Sequence, residues 1–501
     1  MHGKKADSLK AWDEEDLESM VQDGWRYVRP RMHEYRAFVK GRWLGRTILD
    51  VLTDEFRAFN REYYQRAIEI GKIRIVLPNT EEPINVGPDF IVGNNMQIRH
   101  MVHRHEAPIP DTLPAVTRVT DEFVAVGKPA GPPVHSCGRF FDNTLCSLIG
   151  HVRPDLEGLH PVHRLDRLTS GTLVFARSAV CAEKVRQAMT DKKTCKVYLA
   201  KIKGSIGPDP LLVSVSLIVR DAAKGVCETV LDGLEKIESD LPVGVRRVRN
   251  KEEVDSVEQS FTGFIAQEAE EEKKLRKQLV ANSRAAKRAR TEAGSVDVPV
   301  PKRFSAKMSH TLIAQISTDE VSGTSIVMCR PMTGRTHQIR LHLLHLGTPI
   351  VNDPCYGGDP LAEPETLAPV PLAHADSIWD AKRPEGDCPL CDEQRSMEAQ
   401  FMAAKERGDE DDEMVTTRPK LMVEPSGSLH TSALLRNRWF YRYICLHAAA
   451  YNVMGTVVSS PLPPWFVETS TAATMTSLIT GGRVSWDDVM ACQTGAGAKE
   501  E

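Results

Sequence analysis

The chain has almost no net charge, no disulfide framework and no apolar run clean enough to cross a membrane. Lys and Arg total 64 against 68 Asp and Glu over 501 residues. Nothing global steers such a chain to nucleic acid, so any RNA contact has to come from local basic surface. The 11 cysteines are odd in number and scattered, which excludes a disulfide scaffold and fits a reducing compartment. The N-terminus lacks the apolar core of a secretory signal. Its Asp7, Asp13, Glu14, Glu15, Asp16 and Glu18 argue against an acid-poor mitochondrial transit peptide. Residues 443–466 carry no formal charge, yet His447, Asn452, Ser459, Ser460 and the nearby Pro461, Pro463 and Pro464 rule against a membrane span. There is no P-loop, no G-x-G-x-x-G after a strand and no H-x-E…P-C-x-x-C deaminase signature. Cys388-Pro389-Leu390-Cys391 is half of a zinc-like site without a second CxxC; a metal there would need His374 or His430, and none is expected. The composition reads as a soluble, intracellular chain of about three domains by length.

What is present divides the chain. Residues 1–34 form a charged arm. In the unit 35–107, Thr47 is placed to cap a helix whose Ile48, Leu49, Val51, Leu52 and Phe56 share a face. A second helical run covers Tyr63 to Ile70, stops at Gly71, and is followed by the strand Ile73 to Val76. A core occupies 115–219, with an apolar strand Phe123 to Val126 and a helix capped by Ser178 with Cys181, Val185 and Ala188 on one stripe. In Lys196-Val197-Tyr198-Leu199-Ala200, alternation puts Tyr198 opposite Val197 and Leu199. A charged insertion spans 220–305, including the like-charge block from Glu268 and the basic cluster Lys287 to Arg290, which is compatible with nuclear import. The core resumes at 306–360, where Thr336 is expected to cap a helix that buries Ile339, Leu343 and Leu346 and ends at Gly347. A second insertion fills 361–437, a closing core strand lies in 438–475, and 476–501 is a loose tail.

The most informative stretch is His163-Arg164-Leu165-Asp166-Arg167-Leu168-Thr169-Ser170-Gly171. It sets one carboxylate between two guanidinium groups, ahead of the strand-like run Thr172 to Ala176. Nearby arginines favour the ionised carboxylate, and an ionised carboxylate can act as nucleophile or base. On the residues alone, a structural ion pair serves equally well.

The wording H-R-L-D-x-x-T-S-G resembles the catalytic signature of the RluA-type pseudouridine synthases. Three further blocks follow that family's pattern. They are Lys128-Pro129-Ala130-Gly131 with His135 and Asn143-Thr144-Leu145, then Gly334-Arg335-Thr336-His337-Gln338-Ile339-Arg340-Leu341-His342, then Asn352-Asp353-Pro354-Cys355-Tyr356-Gly357. Leu446-His447-Ala448 and Pro461 to Trp465 resemble its closing strand and ending. The resemblance implies an α+β core with a mixed, largely antiparallel sheet and flanking helices, interrupted here by the two insertions. It implies an RNA isomerase in which Asp166 is the catalytic residue, Arg340 pairs with it, and Tyr198 lines the pocket. Arg164, Arg167 and Arg335 become candidates for RNA contact, with His163 and His337 beside them. No cofactor is required, because uridine and pseudouridine are isomers.

The helix–helix–strand order of 35–107 resembles the small αL RNA-binding module fused ahead of many such enzymes. Its phosphate contacts would be Arg42, Arg46, Arg57, Arg61, Arg66, Lys72 and Arg74. Tyr35 to Trp43 and His103 to Pro108 resemble the eukaryotic branch that modifies tRNA at anticodon-loop position 32. The resulting expectation is a monomeric, membrane-free enzyme on tRNA, cytoplasmic or nuclear. A catalytically idle RNA chaperone of the same fold and a synthase on ribosomal or messenger RNA are the rivals.

Overall fold

The computed structural model describes residues 19–248, 306–357 and 443–467 apart from short internal stretches, and two short strands between the last two segments. Lys287 to Arg290, the Cys388–Cys391 pair and the expected tail lie outside the described residues.

In the N-terminal unit, four antiparallel strands carry two helices on one face. The strands lie in the order β3 (Arg31–Phe38), β6 (Gln97–Arg104), β4 (Ile73–Val76) and β5 (Pro83–Asn85). Helices α1 (Ile48–Glu55) and α2 (Arg61–Glu69) begin at side-chain caps: Thr47 Oγ1 accepts from Asp50 N at 3.2 Å, and Asn60 Oδ1 from Tyr63 N at 3.0 Å. Gly71, at φ 72°, turns the chain from α2 into β4. Ile48, Val51, Leu52, Tyr64 and Ile68 pack over Ile73, Ile75 and Ile98. The helix–helix–strand order read from the sequence is therefore present. The expected arm 1–34 is corrected in its second half. β1 (Ser19–Gln22) and β2 (Trp25–Val28) pair, β2 pairs with β7 (Ile109–Pro110), and β3 starts at Arg31. Trp25 is buried there, which supplies the apolar anchor that the charged flanking residues conceal.

The core is a single mixed sheet. Its strands are β8 (Ala115–Val119), β9 (Phe123–Lys128), β10 (His160–Pro161), β11 (Ser170–Ala176), β12 (Cys195–Lys203), β13 (Leu211–Asp221), β14 (Val226–Val230), β15 (Val245–Arg247), β16 (Lys307–Asp319), β17 (Thr324–Pro331), β20 (Leu446–Val453) and β21 (Thr456–Ser459). They run β14-β13-β16-β17-β12-β20-β11-β9-β8, with β10, β15 and β21 attached at the side. All described pairings are antiparallel except β11 with β20. At that junction Gly171 lies against Ala448. A Cβ on Gly171 would stand 2.3 Å from the Ala448 carbonyl oxygen, and its φ of +116° also favours glycine. Around the sheet lie α3 (Leu145–Val152), α4 (Ala179–Thr190), α5 (Gln338–His345) and α6 (Pro464–Val467). Ser178 Oγ caps α4 by accepting from Cys181 N at 3.1 Å, as its sequence position suggests.

Two differences from the sequence reading concern boundaries and caps. Residues 226–230 and 245–247, assigned to the charged insertion 220–305, are strands paired to β13. Cys227 and Val245 are buried in the main core, so two apolar anchors outweigh the charged neighbours. Thr336 does not cap α5. His337 occupies that position in a left-handed conformation at φ 56°, without a side-chain cap. β18 (Leu367–Pro369), inside the second insertion, pairs with β19 (Trp439–Tyr441), just past its end.

Candidate active site

The Asp166 loop precedes β11 and is tied down from below. β9 runs antiparallel to β11 with Lys128 opposite Gly171, so the Lys128 side chain lies under the loop. Its Nζ donates to the carbonyls of Pro129, Arg167 and Thr169, each at 2.9 Å. Burial and the Arg167 charge push this amine down to about 7, while Asp166 acts in the opposite direction. Three carbonyl acceptors match the three hydrogens of an ammonium, which favours the charged form. Thr169 N closes a turn on the Asp166 carbonyl at 3.1 Å, and Gly131 N donates to the Arg167 carbonyl at 2.9 Å. Beyond the turn, Ser170 Oγ meets His447 Nδ1 at 2.9 Å.

The second half of the site comes from α5 and the turn after it. Arg340 is buried and donates through Nε and Nη2 to the two oxygens of Asp353, at 2.7 and 2.8 Å. Its Nη1 donates to Asp166 Oδ2 at 3.2 Å. One guanidinium thus serves two carboxylates, one wholly buried and one partly open to solvent. Burial opposes the charged guanidinium, but Asp353 and Asp166 hold its pKa well above the ordinary arginine value. Tyr356 lies under it, with the guanidinium carbon 4.8 Å from the ring centroid. The Tyr356 hydroxyl contacts His337 Nδ1 at 2.6 Å, while His337 Nε2 stands 3.6 Å from Asp166 Oδ2. These partners assign the tautomer: Tyr356 donates to Nδ1, and Nε2–H faces the carboxylate. His337 holds this place with a left-handed backbone at φ 56°. Burial lowers its pKa, and Asp166 only partly offsets this. Among the described residues no cluster of three or more His, Cys, Asp or Glu is placed to hold a metal ion.

Residues 122–345 match the family described as RNA pseudouridylate synthase. A rice protein named RNA pseudouridine synthase 7 is 32% identical over 337 residues, covering 67% of this chain and 67% of its own length. The chain belongs to the RNA pseudouridylate synthases. A yeast protein named tRNA pseudouridine(31) synthase is 27% identical over 70% of this chain and 76% of its own. A yeast protein named tRNA pseudouridine(32) synthase, mitochondrial, is 28% identical over 71% of this chain and 60% of its own. The chain spans about half the length of the mammalian relatives it matches. Asp166, Tyr198 and Arg340 lie inside the matched segment, whereas Asp353 and Tyr356 lie beyond it.

In this pseudouridylate synthase the predicted residues separate into groups. Asp166, Arg340 and His337 meet in one place, with Tyr198 close by. Tyr198 faces Ala448 on β20 and Cys329 on β17 and packs against the two largest cores of the catalytic sheet. Burial and the Asp166 charge both raise its hydroxyl pKa, so it stays neutral. Arg164 is exposed at the loop rim. Arg167 donates back to the Gly131 carbonyl at 3.4 Å and lies 5.7 Å from the Phe140 ring centre. Arg335 donates to the Met308 carbonyl at 3.3 Å. His163 is half-buried. Its Nε2 accepts from Val174 N at 3.2 Å, its Nδ1 is covered, its ring packs on Tyr451, and burial holds it neutral. These contacts tie His163 to β11. In the N-terminal unit Arg42 pairs with Glu55 and Arg46 with Asp54. Arg74 lies 3.9 Å from Glu34, and the Lys72 charge acts on His100.

Lys128, Asp353 and Tyr356 were legible as parts of motifs, but sequence reasoning gave them no role. A signal existed for Asp353. An arginine expected to face a catalytic carboxylate from a buried helix needs further compensation, and Asp353 is the acid nearest to Arg340 along the sequence.

Proposed function

We propose that the chain isomerises uridine to pseudouridine in RNA with Asp166 as the catalytic carboxylate, and that its substrate is a tRNA anticodon stem-loop with uridine at position 32. The observation that carries the reading is the 3.2 Å contact between Asp166 and Arg340, groups 174 residues apart in the chain. The reaction breaks the bond between the sugar C1′ and uracil N1, turns the base, and forms a bond from C1′ to C5. The C5 hydrogen leaves, N1 gains a proton, and no atom is added overall. A carboxylate paired with Arg340 can attack the sugar or take a proton beside it. The flat Tyr198 ring supports a uracil turned out of its stack. Arg164, at the rim, is suited to a neighbouring phosphate. Two relatives carry tRNA positions 31 and 32 in their names, which supports the stem-loop as substrate. We take the chain to act as a monomer in the cytoplasm or nucleus.

The test is carbodiimide mapping of pseudouridine in total RNA with and without the gene, together with an Asp166→Asn variant. Loss of pseudouridine at tRNA position 32, restored by the wild type and not by Asp166→Asn, is the expected result. Loss of a ribosomal or messenger site with position 32 intact overturns the substrate. Turnover by pure Asp166→Asn overturns the residue assignment. Arg340→Lys keeps a charge but loses the planar fork, so activity should fall steeply in the same complementation.

A further inference from the structure

The cations of the N-terminal unit are distributed unequally between its two faces. On the helical side, Arg42, Arg46 and Arg61 pair with Glu55, Asp54 and Asp50, so three carboxylates of α1 answer three guanidinium groups. The outer face of the sheet is different. Strand alternation turns Ala37, Ile73, Ile75 and Ile98 toward the helices, which leaves Glu34, Arg36, Phe38, Arg74 and Arg99 on the opposite face. The register makes Arg99 the direct cross-strand neighbour of Arg36 on one side and Arg74 on the other. Three guanidinium groups in a row across three strands share one carboxylate: Glu34 lies 2.7 Å from Arg36, 3.9 Å from Arg74 and 3.8 Å from Arg99. Arg99 also donates to Gln97 Oε1 at 3.1 Å and to the Glu81 carbonyl at 3.4 Å, but these acceptors carry no charge. Like charges placed directly opposite weaken a sheet, and an outside anion would relieve this row. Phe38, on the same face, is 67% exposed, and an open ring beside cations can accept a stacked base.

We infer that this outer face, through Arg36, Arg74 and Arg99 with Phe38 at its edge, grips the sugar-phosphate backbone of the substrate RNA. The inference rests on the reading of the chain as an enzyme acting on RNA. It assigns phosphate contact to Arg36 and Arg99, and it removes that role from the paired arginines around α1. RNA is the occupant because the row offers a net positive stripe next to a stacking ring, and an acidic peptide would make no use of the ring.

The experiment compares the full-length wild type, an Arg36→Gln/Arg74→Gln/Arg99→Gln triple and an Arg42→Gln/Arg46→Gln/Arg61→Gln triple. Affinity for a transcribed tRNA is read by fluorescence anisotropy between 50 and 200 mM salt. Losing three phosphate contacts flattens the slope of log affinity against log salt by about 2.1–2.7 units, so the gap to wild type narrows about 20- to 40-fold across that range. The triple around α1 should keep the wild-type slope. Thermal melts accompany both. Should the sheet triple fail to fold, the exposed single change Arg36→Glu takes its place, with a slope change of about one unit. An unchanged slope in the sheet variants, or the loss appearing in the α1 triple, overturns the inference. Pseudouridine formation by wild type on the same transcript is measured in parallel. Formation with unchanged slopes sinks this surface alone, whereas no formation on any RNA sinks the reading beneath it.

Discussion

Replacing Asp353 by Asn should damage the fold, whereas replacing Asp166 by Asn should damage only the chemistry. Asp353 is fully buried and accepts from Arg340 Nε, Arg340 Nη2 and Cys355 N at 2.7, 2.8 and 3.0 Å. Asparagine keeps the outline but removes the charge, and its NH₂ meets a guanidinium N–H head-on. Arg340 then stays charged and buried without its two-pronged partner. Breaking a buried pair from one side costs about 3–5 kcal/mol. Asp166 still attracts the guanidinium, so the lower end, about 3 kcal/mol, is expected. At about 2–4 °C per kcal/mol for a domain of this size, the midpoint should fall by about 6–12 °C. Asp166 has a side chain 23% exposed and a single 3.2 Å contact to Arg340, so Asp166→Asn should stay within about 1 kcal/mol of wild type. Activity is read as tritium release from RNA labelled at uracil C5. Asp353→Asn should lose both stability and rate, since Arg340 is freed to move, and Asp166→Asn should lose rate alone. The double change Arg340→Met with Asp353→Leu removes both buried charges and should regain most of the stability while remaining inactive. A wild-type midpoint for Asp353→Asn, or an active Arg340→Met/Asp353→Leu, would refute the argument.

Three further outcomes are expected. Lys128→Met strands three buried carbonyls and loosens the Asp166 loop, so kcat should drop about a hundred-fold with RNA affinity little changed; a wild-type kcat would show that the loop holds itself. Burial pushes His100 down to about 4, with Lys72 adding to it, and His342 and His447 to about 3. Because these folded values lie below the ordinary 6.5, the unfolded chain takes up the protons first. Their contribution is complete above pH 6.5 and is lost as pH falls, on the order of 1.4 kcal/mol per histidine per pH unit; thermal midpoints that stay level between pH 7 and 5 would contradict this. Exhaustive chelation, or Cys388→Ser with Cys391→Ser, should leave the rate intact, and stoichiometric zinc lost together with activity would refute it.

Features that depend on a few neighbouring residues were readable from the chain. The caps Thr47 and Ser178, the stop at Gly71, the alternation that turns Tyr198 away from Val197 and Leu199, and the loop around Asp166 are of this kind. In each the partner lies within about four positions, so spacing carries the information. The glycine of Thr-Ser-Gly is intermediate. Its motif was visible, but the reason for it, the close approach of Ala448, is a contact across the only parallel pairing described.

Which partner a charge finds was decided by the tertiary structure. Arg42 and Arg46 read as phosphate contacts, and the fold sets Glu55 and Asp54 of α1 against them, while strand register alone lined up Arg36, Arg99 and Arg74. Thr336 satisfied the local rule for a helix cap, yet His337 took that place with its ring held between Tyr356 and Asp166. Residues 226–247 looked like charged insertion because two buried anchors are too few to set a pattern. Sequence by itself determined the strand Phe123 to Val126, the caps Thr47 and Ser178, and the loop that carries Asp166. Only the fold determined that Arg340 lies between Asp166 and Asp353, because a buried cation is stabilised by whatever carboxylates the packing delivers to it.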